Sequence, residues 1–104
     1  MIWIVGDRGM LGSELREALD RQGTAYVGSD REVDILDPSA LSAFAEAHSV
    51  DAIVNCAAYT AVDKAEDEPE LCRRLNAEGP ENLGRLAAAR GARIVHISTD
   101  YVFD

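Results

Sequence analysis

Apolar positions along this chain switch period several times, and the switches mark its elements. Residues 1–5 (MIWIV) form an unbroken, β-branched apolar run, the pattern of a strand covered on both faces in a parallel sheet. Beyond a glycine-rich stretch the period turns helical. Leu11, Leu15, Ala18 and Leu19 fall on one side, and Glu14, Arg16, Glu17, Asp20 and Arg21 mostly on the other. This predicts an amphipathic helix that ends near Gly23. Residues 25–29 (AYVGS) make a second, weaker strand. Asp37-Pro38 pairs a capping residue with proline at the first helical position, and Leu41, Phe44 and Ala45 then share one face as far as His48. Residues 51–56 (DAIVNC) are a third strand. A long helix is expected over about 69–90, with an irregularity at Gly79-Pro80. Residues 93–98 (RIVHIS) complete the series as a fourth strand. Strands alternating with helices imply right-handed crossovers and a parallel sheet carrying helices on its faces.

Composition narrows the class. The chain has 104 residues, the size of one domain or part of one, so residues 1–104 are taken as a single domain. Ten basic residues are scattered against nineteen acidic ones, for a formal net charge of −9. Nucleic-acid surfaces need clustered Lys and Arg, so no nucleic-acid partner is expected. No apolar run approaches the length of a membrane span, and no signal or transit peptide is visible. The expectations are no membrane partner and a cytoplasmic location. Cys56 and Cys72 lack CxxC spacing and histidine neighbours, which favours two reduced thiols.

The glycine-rich stretch VGDRGMLG places Gly6, Gly9 and Gly12 at GxxGxxG spacing between the first strand and first helix. In such a unit one glycine permits the tight turn, the next lets the backbone approach a pyrophosphate, and the third lets helix and strand pack closely. Glycines also gather in such turns for conformational reasons alone. The context favours a dinucleotide. Asp30 stands 18 residues after Gly12 at the end of the second strand, close to the roughly 20 expected of a carboxylate that binds a ribose hydroxyl. The expected fold is therefore α/β: a Rossmann-type doubly wound parallel sheet in three αβα layers, its C-terminal part lying outside the chain.

Two further segments, NCAAYTAVDKAEDEP after the third strand and HISTDYVFD after the fourth, are specific. With the glycine turn they make the chain resemble the extended short-chain dehydrogenase/reductases, and within them the dTDP-4-dehydrorhamnose reductase family, along its whole length. That resemblance implies NADPH or NADH as cofactor, a dTDP-sugar as substrate and scope for homo-oligomerisation. It also admits Mg2+, for which the sequence shows no site. By the same resemblance Gly6, Gly9, Met10, Leu11 and Gly12 would hold the pyrophosphate, and Asp30 and Arg31 would sit by the adenosine ribose. Asp34 and Ile35 would lie near the adenine, and Ala57, Ala58 and Tyr59 on the nicotinamide side. Thr60, Val62, Asp100 and Tyr101 would meet the sugar nucleotide. Thr99 matches the hydroxyl member of the family's Ser/Thr, Tyr, Lys catalytic set.

The Tyr and Lys of that set form a YxxxK motif, and no YxxxK occurs here. Both are expected beyond Asp104, with the substrate-binding region, in a longer reductase whose cofactor-binding part this chain would be. The expected reaction is the NAD(P)H-dependent reduction of dTDP-4-dehydro-6-deoxy-L-mannose to dTDP-L-rhamnose. A different class stays open: a non-catalytic, NAD(P)-binding regulatory subunit resembling the β subunit of methionine adenosyltransferase. A sugar epimerase shares the glycine turn but not STDYVFD. For Asp34 and Asp37, turn and helix capping compete with cofactor contact. His48 reads as a helix C-terminal partner, His96 as a packed histidine, Trp3 as core, and Glu66, Asp67 and Glu68 as a solvated helix start.

Overall fold

The computed structural model of the chain describes residues 1–56 and 69–97. Each of the expected elements forms: β1 (Ile2–Val5), α1 (Met10–Gln22), β2 (Tyr26–Ser29), α2 (Pro38–Ala47), β3 (Ala52–Asn55), α3 (Pro69–Arg90) and β4 (Arg93–His96). The strands pair in parallel in the order β2-β1-β3-β4. Ile2 stands opposite both Tyr26 and Ala52, and Ala52 opposite Arg93, so the carboxyl ends of all four strands lie along one edge. Chain direction through the sheet reverses at β1, which sends β2 to one side and β3 to the other.

Alternation along β1 divides the layers. Trp3 and Val5 join Leu41 and Ala45 of α2, Ile53 of β3, and Leu83 and Ala87 of α3 in one buried cluster. Ile4, also fully buried, points to the other face, where α1 packs on β1. The Trp3 indole stacks on Phe44 with ring centroids 4.5 Å apart. Its Nε1–H donates to Ser29 Oγ at 2.8 Å, which satisfies both buried polar groups. Trp3 is core, as expected.

Local chemistry sets the helix ends. Gly23 adopts φ 71°, and the amides of Gly23 and Thr24 donate to the carbonyls of Asp20 and Leu19, a left-handed C-terminal stop. Asp37 caps α2: its carboxylate accepts from the amides of Ser39 and Ala40 at 3.0 and 3.3 Å, with Pro38 in the first helical position. The long helix expected over this stretch forms, and α3 runs through Gly79 and Pro80. Leu75 on one side of Pro80, and Leu83 and Ala87 on the other, pack against the same core. That burial outweighs the roughly 3 kcal/mol that an interior proline costs. Gly79 is a packing residue, because a Cβ there would lie 3.0 Å from Ile35 Cγ1 and closer still to Cδ1.

Candidate functional site

The carboxyl edge of the sheet carries the site, beginning with the turn after β1. Gly6 takes φ 81°, a left-handed backbone that favours glycine. The amides of Gly6 and Asp7 both donate to the Ser29 carbonyl, at 2.8 and 3.1 Å, so the turn hangs on the end of β2. Gly12 is buried where the turn folds back over the start of α1. A Cβ there would fall on the Gly6 carbonyl oxygen and lie 2.8 Å from Asp7 Cα. Gly9 is different: its backbone is extended (φ −74°, ψ 173°), and a Cβ would meet only the Gly6 oxygen, at 3.6 Å. No conformational demand explains that glycine. The side a Cβ would occupy is open apart from that contact.

Gly9 also occupies the N-cap of α1 without a side-chain cap, and the helix has no acidic residue in its first turn. The first hydrogen bond of the helix runs from the Ser13 amide to the Gly9 carbonyl at 2.9 Å. This leaves the amides of Met10, Leu11 and Gly12 outside the helical ladder, directed along the helix axis. An uncapped helix start without competing carboxylates is a ready anion site. A dinucleotide pyrophosphate fits it. Met10 is 81% exposed at the mouth of this turn, and Leu11 is half-buried.

Residues 30–37 form turns and contain no strand. Asp30 is half-buried, and its amide donates to the Glu32 carboxylate, at 2.7 and 3.1 Å to the two oxygens. That bond, aided by the Arg8 guanidinium, holds the Glu32 carboxyl below the usual carboxylate range. Sequence patterning singles out Asp30 and passes over Glu32; the available signal was a carboxylate two positions along, able to reach back to a neighbouring amide. Arg31 is exposed. Asp34 accepts from the Leu36 amide at 2.9 Å, which makes it a turn-capping residue. Ile35 is 4% exposed, and its side chain packs into the core against α3. Its carbonyl accepts from Asn82 Nδ2 at 2.9 Å. Burial beside the Gly79 gap stabilises that apolar side chain.

Beyond β3 and β4 the described residues end at Cys56 and Ile97. Cys56 is a buried free thiol, and burial raises its pKa. Its amide donates to the Val5 carbonyl at 2.8 Å, which ties the end of β3 to the start of the glycine turn. Ala57, Ala58, Tyr59, Thr60 and Val62, and likewise Thr99, Asp100 and Tyr101, lie outside the described residues. So do Glu66, Asp67 and Glu68. His96 pairs through Nδ1 with Asn55 Nδ2 at 3.2 Å across the β3–β4 ladder. His48 sits at the C-cap of α2 with its ring 4.4 Å from that of Phe44.

The chain matches the family model described as the RmlD substrate binding domain over residues 1–104. It belongs to that family. A dTDP-4-dehydrorhamnose reductase from Streptomyces griseus is 47% identical over 103 residues, covering 97% of this chain and 34% of that protein. The crystal structure of a dTDP-4-dehydrorhamnose reductase from Clostridium acetobutylicum superimposes with a TM-score of 0.85 at 41% identity, covering 99% of this chain and 37% of the other. A dTDP-4-dehydrorhamnose reductase from Bacillus anthracis, solved in complex with NADP, gives a TM-score of 0.83 at 36% identity, with coverage of 97% and 36%. The chain thus spans about a third of the length of the relatives it matches. The family resemblance and the Rossmann-type fold expected from sequence both hold. Among the described residues no helix is long and apolar enough to cross a membrane.

Proposed function

We infer that this chain is the cofactor-binding part of a longer, cytoplasmic NAD(P)H-dependent reductase that converts dTDP-4-dehydro-6-deoxy-L-mannose to dTDP-L-rhamnose. The glycine turn carries this reading: it opens an uncapped, acid-free helix start at the carboxyl edge of a parallel sheet, where strand order reverses. Ligands bind at that position in open α/β sheets. The relatives named above support the substrate class, and the Bacillus anthracis complex supports the cofactor.

In this reading the amides of Met10, Leu11 and Gly12 hold the pyrophosphate, and the open side of Gly9 lets it approach. Asp30 and Arg31 serve the adenosine ribose. Asp34 and Ile35 lie near the adenine, with the Ile35 side chain fixing the turn from the core side. Ala57, Ala58 and Tyr59 line the nicotinamide side, and Thr60, Val62, Asp100 and Tyr101 meet the sugar nucleotide. The bound cofactor supplies a hydride to the C4 carbonyl carbon. The Thr99 hydroxyl donates to the C4 oxygen as negative charge builds there, and a Tyr–Lys pair outside this chain delivers the proton.

The test is Thr99→Val in the full-length protein. Turnover of the dTDP-4-keto sugar should fall about 10²-fold with NADPH affinity unchanged. Equal loss of cofactor affinity would assign Thr99 a structural role, and absence of both NADH and NADPH binding by the parent protein would overturn the reading itself.

A further inference from the structure

Three backbone amides, two after β1 and one after β2, meet oxygens of different kinds. The Ser29 carbonyl takes the amides of Gly6 and Asp7, which draws the glycine turn against the end of β2. One residue further, the Asp30 amide is held by both oxygens of Glu32. Arg8 follows directly on Asp7, and its charge acts on the Glu32 carboxylate. Glu32 is exposed, so this carboxylate stands at the solvent side of the site on a backbone donor, with the more distant Arg8 charge favouring its ionised form. Those two groups are what a phosphate monoester at this place would seek.

We propose that Glu32 is a specificity-determining residue: it takes the backbone donor that the 2'-phosphate of NADPH would use and sets a negative charge beside it, and so biases the site toward the 2'-hydroxyl of NADH. The proposal rests on the dinucleotide reading above and goes beyond the choice of Asp30 as the ribose carboxylate. A 2'-phosphate has to displace Glu32 from the Asp30 amide and then bind Arg8 beside a remaining negative charge. A 2'-hydroxyl displaces nothing and can itself donate to a carboxylate. Glutamine at this position keeps an oxygen acceptor for the Asp30 amide but loses the charge, and so separates turn support from anion exclusion.

The experiment is fluorescence titration of NADH and NADPH into the full-length protein and into its Glu32→Gln variant, with thermal unfolding recorded for both. Because Glu32 is solvent-exposed and screened, the expected change is modest: about tenfold tighter NADPH, with NADH within about threefold of the parent. Arg8→Ala in the Glu32→Gln background should cancel the NADPH gain. Titration calorimetry with 2',5'-ADP and 5'-AMP should show the same contrast without the nicotinamide. If the NADPH-to-NADH affinity ratio is unchanged in Glu32→Gln, whether or not the melting temperature drops, Glu32 is only a turn cap and the proposal is overturned. If the parent protein binds neither nucleotide, the dinucleotide reading falls and takes this proposal with it.

Discussion

Replacing Gly12 and Gly9 separately by alanine should split folding from ligand binding, because the two glycines serve different ends. At Gly12 the added Cβ would land on the Gly6 carbonyl oxygen and within 2.8 Å of Asp7 Cα. Every obstructing atom is backbone, so no rotamer change relieves the clash and the turn must move off the helix. Overpacking of this kind costs about 1–3 kcal/mol, while alanine in place of an interior helical glycine returns up to about 1 kcal/mol. Because only backbone obstructs, the cost lies in the upper half of that range and leaves a net loss of about 1–2 kcal/mol after the full return; at about 4–8 °C of Tm per kcal/mol for a domain of this size, Gly12→Ala should melt roughly 4–16 °C lower. Its dinucleotide affinity should fall too, since Met10 and Leu11 move with the turn. At Gly9 the backbone already suits any residue, and the nearest atom to a Cβ is at ordinary contact distance. Gly9→Ala should cost no more than about 1 kcal/mol as a poorer N-cap, yet lower affinity for NADH and NADPH at least tenfold by standing in the approach to the amides. Differential scanning fluorimetry with cofactor titration measures both. An unchanged Tm for Gly12→Ala, or unchanged binding for Gly9→Ala, would refute this division of labour.

Other perturbations probe the supports of the fold and site. Asp37→Ala removes the acceptor for Ser39 and Ala40 and should lower stability by about 0.5–2 kcal/mol in urea melts with cofactor affinity intact. Trp3→Phe leaves the Ser29 hydroxyl without its indole donor and shrinks a buried ring, for a loss of about 2 kcal/mol by the same melts. The Cys56 thiol, raised by burial, should react slowly with a thiol reagent, with a pH midpoint above the ordinary thiol value; a midpoint at or below that value would mean that the end of β3 is open to water. The sign for Glu32 is the opposite one. With its pKa lowered in the folded protein, its contribution is present above the ordinary carboxylate pKa and fades as pH falls through the lowered value, so the Asp30 amide should lose its protection from exchange only in acid below the ordinary carboxylate range.

Period and punctuation made the elements legible. The β-branched runs, the Asp37-Pro38 start and the glycine stop at Gly23 each depend on neighbours a few residues away, and these predict local structure well. What escaped depends on distant partners. The role of Gly79 stays hidden until Ile35 is known to need the space beside it, 44 positions away in sequence. That α3 buries the Ile35 side chain is hidden for the same reason, since nothing nearby reveals it. Glu32 was hidden by Asp30, because one carboxylate at the expected spacing satisfies the motif and nothing local says which of the two meets an amide.

This difference in range bears on how the two halves of the site respond to damage. The phosphate half is local: strand, turn and helix start lie within residues 2–13, anchored among the described residues by the Ser29 carbonyl of β2 and the Cys56 amide after β3. The adenine half is borrowed. Residues 30–37 keep their course because Ile35 fills the gap at Gly79 and its carbonyl takes the Asn82 amide, so α3 decides where Asp30, Glu32 and Asp34 stand. Asn82→Ala removes a half-buried hydrogen bond worth about 1 kcal/mol, too little to unfold the domain but enough to loosen this segment. The Asn82→Ala variant should therefore bind 5'-AMP and 2',5'-ADP severalfold more weakly, while inorganic pyrophosphate, which needs only the turn, binds as before. Hydrogen exchange should speed up across residues 30–37 and stay unchanged at Met10–Gly12. Equal weakening toward all three ligands would show that the two halves move as one unit and that the support from α3 is not confined to the adenine side.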